Sequence, residues 1–274
     1  MLEHNRMYAM DCRDGLAMID TATVDVVVTS PPYNIGTDYH VYDDRLPPEE
    51  YLARLKEVAA ACRRVMREDA SLFLVVGGTA KHPWIPLEVA CTLREIFILQ
   101  NTIHWIKAIT IPCAYLQECP GTGEEIRIGQ GKTSAGALHH ADNHEFIFHF
   151  TKHGDVSLGK FPDEQVHGAF APGGAYIPTR SDPGNVWFFP DAQPEETRHP
   201  AVFPVHLARA CILDHGVGSG GLVLDPFAGI GSTALACLEL GVDFIGFEID
   251  PAYVAEADRR ILAWRRGERR SQGY

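Results

Sequence analysis

Two short stretches of the chain carry residues whose types and spacing suit chemistry. The first is Thr29-Ser30-Pro31-Pro32-Tyr33-Asn34-Ile35-Gly36, directly after the apolar run Val24-Asp25-Val26-Val27-Val28. Consecutive prolines fix φ and remove two N–H donors, while their carbonyls stay free to accept. A hydroxyl, a free carbonyl and an aromatic face therefore fall within one turn. That set suits a planar ring with an exocyclic amine. The ring stacks on Tyr33, and Ser30 Oγ and the Pro31 carbonyl take the two N–H bonds. An ordinary Pro-Pro turn with a packing tyrosine is the plain structural alternative.

The second stretch is Leu222-Val223-Leu224-Asp225-Pro226-Phe227-Ala228-Gly229-Ile230-Gly231-Ser232-Thr233-Ala234, an apolar run entering a glycine-rich turn that opens a helix. Glu248 follows Gly231 by seventeen residues and ends the run Phe244-Ile245-Gly246-Phe247. Glycines let a ligand approach the backbone, and an acid at the end of the next strand can take ribose hydroxyls. The glycines fit the GxGxxG/A pattern of NAD sites, which is the rival reading. Against it, Asp225 precedes them. An acid there repels a pyrophosphate but pairs with an ammonium, which favours a cofactor with an amino-acid tail such as S-adenosylmethionine.

Taken together, the two motifs resemble those of the DNA amino-methyltransferases, which methylate N4 of cytosine or N6 of adenine. Ser30-Pro31-Pro32-Tyr33 matches the family's (D/N/S)PP(Y/F/W) tetrapeptide, and Phe227-Ala228-Gly229-Ile230-Gly231 matches its FxGxG loop. Catalytic motif first and cofactor motif last is the β-class order. Further family-like segments follow in sequence: Met10-Asp11-Cys12, Trp105-Ile106-Lys107, His144-Glu145-Phe146-Ile147, Val186-Trp187 and His199-Pro200-Ala201-Val202-Phe203-Pro204.

The resemblance implies a Rossmann-like class I methyltransferase fold. This is an α/β domain with a seven-stranded mixed sheet in the permuted β-class order and a loop-rich target-recognition region. It implies S-adenosyl-L-methionine as cofactor and double-stranded DNA as substrate. It also implies residue roles. Ser30, Pro31, Pro32 and Tyr33 would meet a flipped base. Asp225 would face the methionine ammonium, and Thr233 the carboxylate. Phe227, Gly229 and Gly231 would shape the loop against the cofactor. Glu248 would take the ribose hydroxyls and Ile249 would pack on the adenine. Asp11 and Cys12 would reach the adenine edge, by side chain and backbone respectively, and Phe203 would cover the methionine end. Within the family SPP(Y/F) accompanies N4-cytosine more often, so a site-specific cytosine-N4 enzyme is expected. N6-adenine is the alternative, with an RNA or protein amino group further off. Methylation of an exocyclic amine needs no cysteine nucleophile, and the chain's one Pro-Cys pair, Pro112-Cys113, stands in neither motif. A cognate restriction endonuclease and a homodimer are partners the class allows.

These motifs need elements to hold them. Strands are expected at Arg6–Met10, Val24–Thr29, Ser71–Val76, Asn101–Lys107, Glu145–Thr151, Gly221–Asp225 and Asp243–Glu248. Helical spacing marks Pro48–Arg67, Pro86–Phe97, Pro204–His215, Ser232–Leu240 and Pro251–Trp264. Ser232 and Asp250 suit N-caps, and Gly241 suits a helix stop. Alternation of the two types predicts a doubly wound α/β domain. Two irregular stretches interrupt it. The organisation expected is a catalytic part over 1–107, a mobile loop over 108–143 and a sheet strand over 144–152. A candidate target-recognition region over 153–199 and a cofactor-binding part over 200–270 complete it.

Composition agrees. With 274 residues, 46% hydrophobic and 22% charged, the chain can build a core unaided. No apolar run approaches the roughly 18 residues of a membrane span, and Met1–Arg6 lacks the pattern of a signal peptide. Seven cysteines, an odd number without CxxC, fit a reducing compartment, so a cytoplasmic protein is expected. The thirteen histidines, including His139, His140 and His144 near Cys113 and Cys119, lack paired metal spacing, and no metal is expected. A net charge of −12 argues against nucleic acid unless basic groups are concentrated locally. Lys107, Lys132, Lys152, Lys160, Arg180 and Arg198 lie in or beside the irregular stretches, and Arg259–Arg270 holds six arginines and one glutamate.

Overall fold

The run Val24–Val28 forms the middle of a sheet because nearly every side chain on it is apolar, which a strand covered on both faces requires. The computed structural model describes residues 2–112, 125–129, 143–154, 168–170, 176–178, 184–189, 197 and 199–267. Its main sheet contains β1 (Arg6–Ala9), β2 (Val24–Thr29), β3 (Met66–Val76), β4 (Ile98–Ile106), β7 (His144–Thr151), β10 (Val186–Phe188), β11 (Leu222–Asp225) and β12 (Asp243–Glu248). The order is β1-β12-β11-β2-β3-β7-β4-β10. Only β7 runs against its neighbours, pairing antiparallel with both β3 and β4.

Seven of these eight strands are the seven expected ones, and they stand as one continuous block. The eighth, β10, corrects the count. It adds to the edge parallel to β4, with Trp187 opposite Trp105. Three residues inside a Gly/Pro-rich stretch carry no periodic signal, so pattern reading passes over it. The stretch 108–143 is likewise not all loop. β5 (Ala108–Pro112) pairs antiparallel with β6 (Glu125–Gly129), and within 153–199 β8 (Gly168–Phe170) pairs with β9 (Tyr176–Pro178). Apart from residues 143, 153–154, 184–189, 197 and 199, the remainder of both stretches lies outside the described residues, as do Cys113, Cys119, His139, His140, Lys132, Lys160, Arg180 and Arg198.

Alternation along β3 sorts the core. Phe73 and Val75 face one side, with Val26, Val28 and residues of α4 (Val205–His215), α5 (Ser232–Leu240) and α6 (Pro251–Arg265). Leu72, Leu74 and Val76 face the other, with Val27 and residues of α1 (Cys12–Ala17), α2 (Pro48–Val65) and α3 (Ile85–Leu93). The short α1 is capped by Asp11, whose carboxylate accepts the Arg13 N–H at 2.9 Å. Asp250 caps α6 as expected, accepting from Ala252 N at 2.8 Å, and Gly241 ends α5. Ser232 does not cap α5. Gly231, at φ 79°, is the capping residue, and Ser232 is the first helical one with its buried Oγ unpartnered.

Because β2, β3, β4, β11 and β12 are codirectional, their carboxyl ends share one edge of the sheet, where open α/β sheets bind ligands. Antiparallel β7 starts at that edge and brings His144 and Glu145 to it.

Candidate active site

A cavity opens at this carboxyl edge. It is lined by the turn after β2, the turn after β11, the end of β12, the start of α1 and the segment 199–203. Of the residues expected at a site, Asp11, Cys12, Ser30, Pro31, Pro32, Tyr33, Phe203, Phe227, Gly229, Glu248 and Ile249 all line it. Residues nearly 240 positions apart in the chain are thus gathered by the strand order alone.

Asp225, Gly231 and Thr233 do not line the cavity. The Asp225 side chain is buried. It accepts from Thr29 Oγ1 at 2.7 Å, Thr233 Oγ1 at 2.7 Å and the Phe227 N–H at 3.1 Å. Burial pushes its carboxyl up to about 6, against the pull of these three donors. In this structure Asp225 and Thr233 therefore bind each other and brace the glycine turn from behind.

Beside the turn after β11, Glu248 Oε2 accepts the Gly229 N–H at 2.9 Å and Oε1 accepts the Asp250 N–H at 2.8 Å. A carboxylate has about four acceptor positions, so capacity for a diol remains. Burial raises the Glu248 carboxyl above its ordinary value. Ile249 beside it is 48% exposed, an apolar surface that a flat ring could cover. Gly229 has φ 49°, and a Cβ there would stand 3.0 Å from His199 Nε2, so the turn keeps this space open through glycine. Arg260 Nη1 donates to the Ile230 carbonyl at 2.6 Å and secures the same turn. Asp11 is engaged by Arg13, whose guanidinium and N–H hold its carboxyl below the usual range. Burial pushes the Cys12 thiol up to about 12, which makes it unreactive and leaves its backbone as the useful part. The Glu248 carboxylate beside the exposed Ile249 surface fits the ribose and ring of an adenosine.

In the turn after β2, Ser30 Oγ lies 2.9 Å from Tyr33 Oη, and Tyr33 Oη donates to Glu145 Oε2 at 2.9 Å. Lys107 Nζ donates to Glu145 Oε1 at 2.6 Å and sits 4.6 Å from the centre of the Trp105 ring. Lys107, one of the cations in or beside the irregular stretches, keeps only 16% of its side chain exposed. Lys152 is spent internally as well, buried and donating to the Met66 carbonyl at 2.6 Å.

The turn itself is held by Asp44, fully buried, which accepts from the N–H groups of Asn34, Ile35 and Thr37. Tyr39, Tyr42, Tyr51, His199 and Tyr253 add an aromatic wall that pattern reading did not assign, with the His199 ring 4.5 Å from Tyr253 and 5.8 Å from Tyr39. Burial lowers His199 to about 4, so it is neutral near pH 7. The sequence signal for His199 and Tyr253 was weak, because each reaches the wall from a separate element. Among the described residues no three His, Cys, Asp or Glu side chains cluster as metal ligands, and no helix is long and apolar enough to cross a membrane.

A family profile described as DNA methylase matches residues 24–259. The chain is 27% identical over 264 residues to the DNA adenine methyltransferase YhdJ of Escherichia coli (strain K12), covering 92% of this chain and 80% of that one. Its fold is similar to that of the PvuII DNA methyltransferase (cytosine-N4-specific), with TM-score 0.68, 19% identity, and 93% and 85% of the two chains covered. It is also similar to the putative DNA modification methylase TTHA0409 of Thermus thermophilus in complex with S-adenosyl-L-methionine. There the TM-score is 0.63 and the identity 24%, covering 93% and 94% of the two chains.

Proposed function

Since the chain belongs to the DNA methylase family, we propose that it transfers a methyl group from S-adenosylmethionine to N4 of cytosine in double-stranded DNA. The observation that carries this reading is the joint lining of one cavity. Ser30, Pro31 and Tyr33 line it from the turn after β2, and Gly229, Glu248 and Ile249 from the ends of β11 and β12.

S-adenosylmethionine, when bound, supplies an electrophilic methyl on a sulfonium. Glu248 would hold its ribose, Ile249 and Asp11 its adenine, and Phe227 and Phe203 its remaining length. Everything else falls to this chain. The target base must leave the duplex stack, at a cost of a few kcal/mol. Stacking on Tyr33 returns about 1–3 kcal/mol of that. The exocyclic nitrogen is a poor nucleophile because its lone pair is delocalised into the ring. Ser30 Oγ and the Pro31 carbonyl accept its two N–H bonds and draw it toward sp³ geometry, freeing the lone pair. The same acceptors stabilise the positive charge that grows on the nitrogen, and they are already in place when it grows.

The choice of cytosine rests on the serine of the Ser30-Pro31-Pro32-Tyr33 motif, and N6 of adenine is the second reading, favoured by the likeness to YhdJ. The deciding experiment is methyl transfer from labelled S-adenosylmethionine to genomic DNA of a methylation-free host, followed by nucleoside mass spectrometry. N4-methylcytosine is expected. N6-methyladenine would keep the enzyme class and overturn the base, and an unlabelled DNA with cofactor still bound would overturn DNA as the substrate.

A further inference from the structure

Four side chains form one hydrogen-bonded row from the cavity into the fold: Ser30, Tyr33, Glu145 and Lys107. They come from three places. Ser30 and Tyr33 lie in the turn after β2, Lys107 follows β4, and Glu145 is the second residue of β7. Glu145 and Lys107 each keep only 16% of their side chains exposed. The space for Glu145 is reserved, since a Cβ on Gly77, just past β3, would stand 2.8 Å from its carboxyl.

The row has a direction. An ionised carboxylate paired to an ammonium can only accept. Tyr33 has one hydroxyl proton and gives it to Glu145, so toward Ser30 it can only accept. The single proton of Ser30 is therefore committed to Tyr33, and the remaining lone pairs of Ser30 Oγ can only accept from a substrate. We propose that Glu145 is a positioning residue that sets this direction, making Ser30 an obligate acceptor for the target amine, and that it ends the path along which that amine sheds its proton. The inference rests on the methyl-transfer reading above.

The proton balance closes. The new C–N bond forms as the methyl–sulfur bond breaks, which leaves a neutral thioether and a cationic nitrogen that keeps both its protons. One passes to Ser30 Oγ as the Ser30 proton passes to Tyr33 Oη and the Tyr33 proton to Glu145 Oε2. The products are a neutral methylamino base and a neutral Glu145 carboxyl. Burial and the charge of Glu145 hold the Tyr33 phenol well above its ordinary value. A free tyrosinate is thus avoided and the protons move together. The same direction selects against a carbonyl at the target position, because a keto oxygen would meet Ser30 acceptor to acceptor.

The test compares single-turnover methylation of unmethylated genomic DNA by the wild type, Glu145→Gln, Tyr33→Phe, the double variant and Glu145→Asp. Each of the first two single changes should slow transfer by about 10²-fold, the scale of a lost proton-transfer partner. The KM for S-adenosylmethionine should stay within about twofold. The double variant should be no slower than the slower single, as for two parts of one row. Glu145→Asp should recover part of the rate. In the protein alone, the Tyr33 hydroxyl proton should give a downfield NMR resonance that is absent in Tyr33→Phe and displaced in Glu145→Gln. Tyr33→Phe leaves the Lys107–Glu145 pair intact and carries the test if Glu145→Gln does not fold. Transfer rates within about twofold of wild type, multiplicative losses in the double variant, or an unmoved resonance in Glu145→Gln would overturn the proposal. If the wild type methylates DNA and the variants match it, this inference alone fails. If the wild type methylates none, the methyl-transfer reading fails and this one with it.

Discussion

Thr233 Oγ1 donates to Asp225 Oδ2 at 2.7 Å, joining the first turn of α5 to the end of β11. Thr29 donates to the other oxygen from the end of β2. One buried carboxylate thus ties the strand that carries the Ser30 turn to the turn that carries Gly229. Thr233→Val keeps the shape and removes one donor. A buried acceptor left short of a partner costs about 1–3 kcal/mol, so urea unfolding should show a loss on that scale. An unchanged unfolding midpoint would mean that Asp225 is not held in this way.

Gly229→Ala should abolish most cofactor binding while the fold survives. The new Cβ meets His199 Nε2 at 3.0 Å with φ at 49°, and relief of that contact must push the turn toward the cavity or displace His199 from the aromatic wall. Gly241→Ala is the control. Its φ is 67°, but nothing lies within 4 Å of the new atom. It should cost about 1 kcal/mol of stability and no affinity. Calorimetric titration with S-adenosylmethionine separates the two, and equal affinities would remove Gly229 from the site.

The parts of this site that are local in sequence could be read from sequence. Pro31, Pro32 and Gly229 shape their turns through their own backbone, so residue type alone marked them as candidates, and all three line the cavity. The sheet was readable for the same reason, because strands such as Val24–Thr29 and Ser71–Val76 carry the pattern of burial on both faces within themselves. Glu145 was different. Its sequence position shows no role, because its partners Tyr33 and Lys107 lie 112 and 38 residues away and meet it only once β7 is inserted antiparallel. Asp44 holds the turn after Ser30 through three N–H groups but belongs to no motif. The side chains that meet Asp225 in the fold, Thr29 and Thr233, lie 196 and 8 residues away, and spacing alone does not show that they engage its carboxylate.

Glu248→Gln should weaken S-adenosylmethionine binding by tenfold or more. The carboxylate accepts two backbone N–H groups, one from Gly229 and one from Asp250, and an amide has a single acceptor oxygen to replace them. Either N–H would face an NH₂ group, and the acceptor proposed for the ribose would be lost as well. Hydrogen bonds to charged groups contribute about 1.5–3 kcal/mol each. A dissociation constant within about twofold of wild type, on the affinity scale of 1.4 kcal/mol per tenfold, would take Glu248 out of the cofactor site.

The clearest dependence of stability on pH should come from His149, far from the cavity. It is fully buried, stacked on Phe73 at 4.4 Å, with Nε2 2.8 Å from Ser71 Oγ. Burial lowers it from 6.5 to about 4. The folded state therefore prefers the neutral ring. Its contribution is fully present above pH 6.5 and is lost as pH falls from 6.5 toward 4. Between pH 7 and pH 5 one such group removes at most about 2 kcal/mol. Asp214 and Asp225 act in the opposite sense. Burial raises them from 3.8 to about 7 and about 6, so the folded state prefers their protonated forms and they lose stability as pH rises through that range. The wild-type curve mixes both signs, and a difference between proteins isolates the histidine. His149→Phe keeps a ring against Phe73, and Ser71 retains His215 Nδ1 at 3.0 Å. Urea unfolding at pH 7 and pH 5 should show the variant losing less stability than the wild type between the two, by up to about 2 kcal/mol. Parallel losses in the two proteins would mean that His149 already takes up a proton in the folded state.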